Sequence, residues 1–236
     1  MKKALLYFLL AALPTTLAAQ NLRPHRFDAT LGVGENTFAG TLQWERLHGI
    51  GQKKKFRVGY GVRLTNFFAS DLDYVTAPAD LTVEMTGPGA FFGEVVEANL
   101  DTLRLDDAQL HALNAVIYLE YAVTPRLAAG FNIDAVGFTF GGDQTGTFQS
   151  SVFEAGSSRE SASPTPFNAL LIGDNDRGTL NSQLFVRYWV TERIGLRAAL
   201  SYLFTEYTTD RSLAFENDRF RHKGTQFALG VAYSPF

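Results

Sequence analysis

The sequence has 236 residues, of which 46% are hydrophobic and none is cysteine, and its net charge at pH 7 is -3. The lack of cysteine excludes a domain held together by disulfide bonds. A net charge this small does not indicate nucleic-acid binding. With 20 Phe, 9 Tyr and 21 Gly, the composition favours strands and tight corners over helices. A soluble β-sandwich would share this composition, so the order of the residues has to decide.

The N-terminus has the three parts of a cleavable signal peptide. Met-Lys-Lys is followed by an apolar run of about ten residues and then by a small-residue site that ends in Ala18-Ala19. The apolar run is too short for a membrane-spanning helix, which needs about twenty residues. We predict cleavage after Ala19, so that 1–19 is the signal peptide and 20–236 is an exported domain.

Eight later segments alternate apolar side chains with polar or small ones, which is the period-two pattern of strands with two different faces. In the clearest pair, the tight turn Thr124-Pro125-Arg126 joins two segments whose odd-numbered residues are apolar. The alternating segments are 27–33, 38–44, 56–64, 113–123, 127–135, 184–190, 194–204 and 227–233.

The linkers between these segments also alternate in length. The short linkers are 34–36, 48–55, 124–126 and 191–193, and the long ones are 70–109, 142–179 and 209–224. Outer-membrane barrels have short periplasmic turns and long extracellular loops. With eight strands and both ends in the periplasm, the second, fourth and sixth linkers are periplasmic, and these are short. Among the extracellular linkers only the first, 34–36, is short and departs from the rule. The pattern predicts an all-β fold, an eight-stranded antiparallel up-and-down transmembrane β-barrel with three long extracellular loops.

Alternation alone does not say which face of the barrel is outside. In lipid the apolar face points outward, whereas in water it forms the core. The small residues of the other face suit a narrow bore, its charges recur at similar heights, and aromatic residues of the apolar face collect near the predicted periplasmic turns. These three features favour the membrane interpretation over a soluble sandwich or lipocalin-like fold. The predicted interface aromatics are Trp44, Phe56, Tyr121, Tyr188 and Tyr233.

The inward face carries four acids and four bases, and we expect them to form an ion-pair network. They are Asp28, Glu45, Arg57, Arg63, Glu120, Asp134, Arg187 and Arg197. Side chains just fill the bore of an eight-stranded barrel, so a balanced network there predicts a plug rather than a pore lining. A catalytic acid–base pair is disfavoured because these charges lie deep, away from any lipid substrate.

Taken together, these features resemble the eight-stranded outer-membrane barrels of the OmpA/OmpX type over nearly the whole exported domain, in pattern rather than in identity. The resemblance implies insertion into the bacterial outer membrane by the barrel-assembly machinery, which reads the C-terminal strand. The residues that match this signal are Phe227, Leu229, Val231, Tyr233 and Phe236. Here Ser234-Pro235 interrupts the alternation, so Phe236 falls out of phase. The runs 130–134 and 217–221 are similar to a group of uncharacterised outer-membrane β-barrel domains, which implies a location and no activity.

No catalytic motif of a barrel enzyme is present in the sequence. A lipid A deacylase has Ser two residues after its His, but no Ser occupies that position after His25, His48, His111 or His222. The chain has no Cys and no paired His for zinc. We therefore expect a structural or surface-interaction barrel that is not an enzyme and has no cofactor. A narrow small-solute channel and a lipid-modifying enzyme stay open as alternatives.

The long linkers are the expected recognition surfaces of such a scaffold. The linker 70–109 is acidic and has apolar patches at 81–83 and 90–92 that suggest strands, 142–179 is predicted to be mobile, and 209–224 is basic. Asp71-x-Asp73 is too short a match for a calcium site. The expected partners are outer-membrane lipid and lipopolysaccharide, the assembly machinery and an unknown extracellular ligand, with no nucleic acid.

Overall fold

The computed structural model describes residues 24–84, 94, 96–151, 157–171 and 175–235, and in these ranges almost all regular structure is antiparallel β-sheet. The strands are β1 (His25–Gly34), β2 (Thr37–Ile50), β3 (Phe56–Thr76), β4 (Thr102–Ala122), β5 (Leu127–Phe140), β6 (Gln144–Gln149), β7 (Ser157–Pro164), β8 (Phe167–Ala169), β9 (Leu180–Trp189), β10 (Ile194–Thr209) and β11 (Arg219–Tyr233). One short helix, α1 (Ala79–Thr82), and two 3-10 turns (Glu97–Asn99 and Ala214–Glu216) complete the described elements. None of these helices is long and apolar enough to cross a membrane. The predicted signal peptide, 1–19, lies outside the described residues.

Eight strands close into a ring in the order β1, β2, β3, β4, β5, β9, β10 and β11. The first and last strands meet, with Phe27 opposite Tyr233 and Val33 opposite Phe227, so the ring is closed. This eight-stranded ring confirms the predicted up-and-down barrel.

The two faces of the ring have the polarity that a membrane requires. Leu31, Phe138 and Leu184 point outward and are about 60% exposed (59%, 63% and 61%), whereas Glu45 and Arg187 point inward and are fully buried. A soluble protein buries its large aliphatic side chains and leaves its charges in water. The soluble alternatives are therefore excluded, and the chain folds as an eight-stranded transmembrane β-barrel, the architecture of outer-membrane barrels.

The outward apolar belt has the height of a bilayer core. Along β3 the belt runs from Phe56 to Phe68, which is about 40 Å of strand at roughly 3.3 Å per residue. A tilt of about 40° reduces this to about 30 Å along the membrane normal. At the upper edge, the ring of His111 lies 6.3 Å from Phe68 and 5.5 Å from Phe140.

The five aromatic residues predicted at the periplasmic interface all lie on the outward face. Phe56, Tyr121, Tyr188 and Tyr233 are 40–49% exposed and lie at or next to the strand ends at the periplasmic turns. Trp44 lies six residues before the end of β2, where its ring makes an edge contact with Tyr60 at 6.2 Å.

Above the bilayer, six strands close a second and narrower ring that we call the crown. Four strands of the lower ring, β3, β4, β10 and β11, continue upward, and the β6–β7 hairpin is inserted between β4 and β10. The ring closes where β11 pairs directly with β3, with Phe220 opposite Thr76. The crown has an apolar interior and charged residues such as Asp73, Arg104 and Arg159 outside, which is the polarity of a soluble barrel.

The crown corrects the predicted boundaries of the long loops. The segment between β3 and β4 is 77–101 rather than 70–109, and 81–83 lies around helix α1 rather than in a strand. The linker predicted to be mobile, 142–179, contains β6, β7 and β8, and the last long loop is 210–218 rather than 209–224. The apolar patch at 90–92 lies outside the described residues.

The physical reason for this difference is a change of phase along the strands. In the membrane-spanning part of β4 the inward residues are even-numbered, as at Ala112 and Asn114. In the crown part of the same strand they are odd-numbered, as at Leu103 and Leu105. The shift occurs where two adjacent exposed residues of β3, 70–71, lie opposite two adjacent exposed residues of β4, 106–107, and Asp71 there has φ 51°. A search for one continuous alternation therefore ends where the crown begins.

Candidate functional site

Arg187 lies at the centre of the charges inside the lower ring. Its Nη2 atom is 2.5 Å from Asp28 Oδ2 and 2.8 Å from Glu45 Oε1, and its Nη1 atom is 2.7 Å from Glu120 Oε2. All four side chains are 0% exposed, because each occupies an inward position of β9, β1, β2 or β4. One guanidinium thus joins three carboxylates from three other strands, a role for which its fork of donors is suited.

Three further arginines complete this group. Arg26 Nη1 is 2.6 Å from Glu120 Oε2 and 3.3 Å from Glu45 Oε1, Arg57 Nη1 is 2.8 Å from Glu120 Oε1, and Arg197 pairs with Asp28. We call the whole set the charged layer. Its members are Arg26, Asp28, Glu45, Arg57, Glu120, Arg187 and Arg197.

Arg26 was not predicted from the sequence, although a signal for it existed. It precedes the first apolar residue of the alternating segment, where the prediction placed the strand start. The structure begins β1 at His25, and position 26 has the same inward parity as Asp28. Extending the alternation back by one pair would have found it.

Aromatic rings fill the space beside these charges. The guanidinium carbon of Arg197 lies 4.1 Å from the ring centroid of Phe185, and those of Arg26 and Arg187 lie 5.6 and 5.9 Å from that of Trp189. Both rings are buried. A cation over an aromatic face is stabilised in such a dry site, so the layer is packed as well as paired.

Arg63 and Asp134 do not belong to the charged layer. Arg63 Nη1 is 3.5 Å from Asp134 Oδ1, and Nη2 of the same arginine donates to Asn132 Oδ1. Asn114 donates to Asp134 Oδ2 at 2.8 Å and accepts from Asn168 at 2.7 Å. These residues form a separate polar layer of mostly amide groups. The structure thus places six of the eight predicted charges together and two apart.

Glycines on the inward face of β3 let the wall close around these layers. A Cβ atom on Gly59 would lie 2.1 Å from Arg46 O, and one on Gly61 would lie 2.0 Å from Trp44 O. Any larger residue would force the backbone of β2 away from β3. The small residues noted on this face are therefore required by the approach of the strands as well as by the width of the bore.

Nonpolar side chains close the lumen in and just below the crown, and we call this group the stopper. The rings of Tyr74 and Tyr207 meet edge-to-face at 5.3 Å, and those of Phe148 and Phe220 do so at 5.9 Å. The members are Ala39, Phe67, Ala69, Leu72, Tyr74, Leu103, Leu105, Ala108, Leu110, Phe148, Ala162, Leu203, Tyr207 and Phe220. Sequence reasoning missed the stopper, because its residues fall in the linkers or on the face assigned to a polar bore.

A second buried ion cluster lies on the outer wall at the level of the crown. Arg219 Nε donates to Glu206 Oε1 at 2.9 Å, Arg221 Nη2 lies 2.8 Å from Glu206 Oε2, and both arginines also donate to Asp176 O. Glu206 is fully buried although its neighbours on β10 show that it faces outward. The cluster fastens the segment before β9 to β10 and β11, so part of the basic linker is structural.

Ion pairs in the crown should make it sensitive to acid. The Arg159 hydrogen bonds hold the pKa of Asp106 below its usual value, and the Arg211 hydrogen bonds do the same for the pKa of Glu160. A lowered carboxyl pKa contributes stability above the unfolded pKa near 4 and loses it as the pH falls through the folded value. We expect amide-exchange protection of β6 and β7, corrected for intrinsic rates, to fall below about pH 4, while the lower ring stays protected.

The variant Arg159→Ala provides the control for this acid effect. It should lose part of the protection of β6 and β7 at neutral pH and show a smaller further change in acid. Equal protection of these strands at pH 6 and in acid in the unchanged protein would contradict the expectation.

The described residues contain no group of three His, Asp or Glu side chains arranged to hold a metal ion.

No family model matches the sequence, and no curated protein is significantly similar to it. Among solved structures, the chain is similar to Neisserial surface protein A (8% identity, 89% of this chain and 94% of that one, TM-score 0.37). It is also similar to Ail, the attachment invasion locus protein of Yersinia pestis, in complex with the heparin analogue sucrose octasulfate (9%, 89% and 94%, TM-score 0.32). A third is a major outer membrane protein from Thermus thermophilus (13%, 89% and 98%, TM-score 0.37).

Proposed function

We propose that this protein is a non-enzymatic outer-membrane barrel with a sealed lumen, whose role is structural or lies in surface interaction. The observation that carries the proposal is the stopper. Tyr74, Tyr207 and Phe220 are fully buried and stand above a charged layer in which every carboxylate is paired with arginine. An ion would have to shed its water among apolar side chains to pass, which is costly.

The same geometry argues against catalysis on lipid. The buried carboxylates Asp28, Glu45 and Glu120 are each held by arginines inside the wall, and lipid reaches only the outside. His48 and His111 contact aromatic rings of the outer face, and neither pairs with an acid or hydroxyl of the described residues that would activate a nucleophile. His111 Nδ1 instead contacts the side-chain amide oxygen of Asn66.

The proposal keeps the partners expected from the sequence. Outer-membrane lipid and lipopolysaccharide would surround the belt, and an extracellular ligand would meet the crown and its loops. The assembly machinery would read the outward residues of β11, which are Phe227, Leu229, Val231 and Tyr233. Phe236, the last residue of that signal, lies outside the described residues.

Conductance in planar lipid bilayers tests the sealed lumen. We expect the unchanged protein to show no stable open level, because the stopper blocks the bore. The double variant Tyr74→Ala/Phe220→Ala should show brief openings rather than a stable level, because the charged layer still fills the bore below, provided that its unboiled band still migrates as a folded barrel. A stable, ion-selective open level of the unchanged protein would overturn the proposal in favour of the narrow small-solute channel.

A further inference from the structure

The wall of the barrel steps inward at the outer edge of the bilayer. The β1–β2 hairpin ends at Gly34 and Thr37, and above it β11 pairs directly with β3. The change from eight strands to six leaves a ledge on the outer surface beside β2, β3 and β4. A groove with a volume of about 730 Å³ lies on this ledge, and we call it the ledge groove.

The lower row of the groove is aromatic. Phe38, Phe68 and Gln109 are direct cross-strand neighbours on β2, β3 and β4, and all three point outward. The two rings are 41% and 39% exposed. They form the top of the lipid-facing belt at this side of the barrel, so the floor of the groove is continuous with the surface that acyl chains cover.

The upper row of the groove is polar and carries at most one charge. It consists of Asn36 in the β1–β2 turn, Ser70, Asp107 and Gln144. Ser70 Oγ donates to Asp107 Oδ1 at 3.1 Å, and Gln144 Nε2 donates to Gly142 O at 3.2 Å. No lysine or arginine is among the described residues that line the groove.

This combination fits an uncharged sugar better than a phosphate. A phosphate group is held by arginine, lysine or a helix N-terminus, and the described lining of the groove has none of these. Amide and carboxylate oxygens can accept hydrogen bonds from the hydroxyl groups of a sugar, and amide N–H groups can also donate hydrogen bonds to these hydroxyls. Exposed aromatic faces such as those of Phe38 and Phe68 can pack against the C–H face of a sugar ring.

We propose that the ledge groove binds the uncharged sugar headgroup of a glycolipid in the outer leaflet. The sugar lies on Phe38 and Phe68 and bonds to the upper row, while its acyl chains cover the belt below. A lipid source is favoured over a free sugar because the aromatic floor opens onto the belt. The inference deepens the surface-interaction half of the proposed function. It does not depend on the sealed lumen, which the conductance measurement tests separately.

The test uses the full chain in phosphatidylcholine nanodiscs and a digalactosyl diacylglycerol as the probe. Titration is followed by NMR of the side-chain amides of Asn36, Gln109 and Gln144. We expect saturable shifts at these amides, and we expect the double variant Asp107→Ala/Gln144→Ala to weaken the apparent affinity about tenfold. Gln149→Ala is the matched control, because Gln149 is exposed on the same strand outside the groove.

Each other outcome overturns a defined part of the inference. Equal shifts with phosphatidylglycerol would show that the groove reads an anionic headgroup and not an uncharged sugar. Equal binding of free digalactose, without acyl chains, would remove the lipid as the source. Absence of saturable shifts at all three amides, or the same loss of affinity in Gln149→Ala, would overturn the site itself.

Discussion

Replacing Arg187 by alanine is expected to lower the free energy of unfolding by roughly 3–5 kcal/mol, because it leaves buried carboxylates without their shared cation. Arg187 is the only base that contacts Asp28, Glu45 and Glu120 together in the described structure. The other arginines of the charged layer pair with one or two of these acids each. The barrel should fold but unfold at a lower denaturant concentration in detergent micelles.

Two further variants make the Arg187 result specific. Arg126→Ala removes the same side chain from the exposed turn between β4 and β5 and should leave stability unchanged. Arg187→Lys keeps the charge but presents a single ammonium in place of the fork, so we expect an intermediate loss. If Arg187→Ala and Arg126→Ala unfold at the same midpoint as the unchanged protein, the charged layer does not stabilise the barrel.

Replacing Phe220 by alanine should open the crown and leave the eight-stranded ring closed. Phe220 is fully buried and packs edge-to-face on Phe148 at 5.9 Å. A buried Phe→Ala change costs about 3–5 kcal/mol, which is a large share of what so small a second core can supply. We expect protease to cleave β6 and β7 in intact vesicles while the unboiled protein still migrates faster than the boiled protein on a detergent gel.

Phe215→Ala provides the matched control for the crown. Phe215 lies in the loop just before β11 and is 45% exposed, so its removal takes away an aromatic ring without opening a cavity. It should leave the protease pattern unchanged. Loss of the gel shift in Phe220→Ala would mean that the two rings fold as one cooperative unit, contrary to this expectation.

The lower ring could be predicted because its information is local. Each strand alternates apolar and polar residues about a tight turn, and a short turn fixes which strands are neighbours. The crown has no such local signature. Its closure depends on Phe220 meeting Thr76, and its alternation changes phase at 70–71 and at 106–107. Contacts so distant along the chain leave no periodic trace in either strand.

The candidate site was predictable to the same degree. Parity along a strand tells which face a charge occupies, and all eight predicted charges do lie inside the barrel. Parity does not tell the height of a residue, because height depends on how far each strand is staggered against the next. Arg63 and Asp134 therefore belong to a separate layer above the others. The ledge groove depends on the step between the two rings and could not be seen in any single segment.

The direct pairing of β11 with β3 affects how the barrel would resist force. In a barrel with a single ring, the C-terminal strand pairs with two neighbouring strands. It can separate from the N-terminal strand where the two ends of the chain meet. Here β11 is held by β1 and β10 through the membrane and by β3 above it. A pull on the C-terminal strand therefore has to break the ladders on both sides and, in addition, the β3–β11 pairs above them, which a barrel with a single ring lacks.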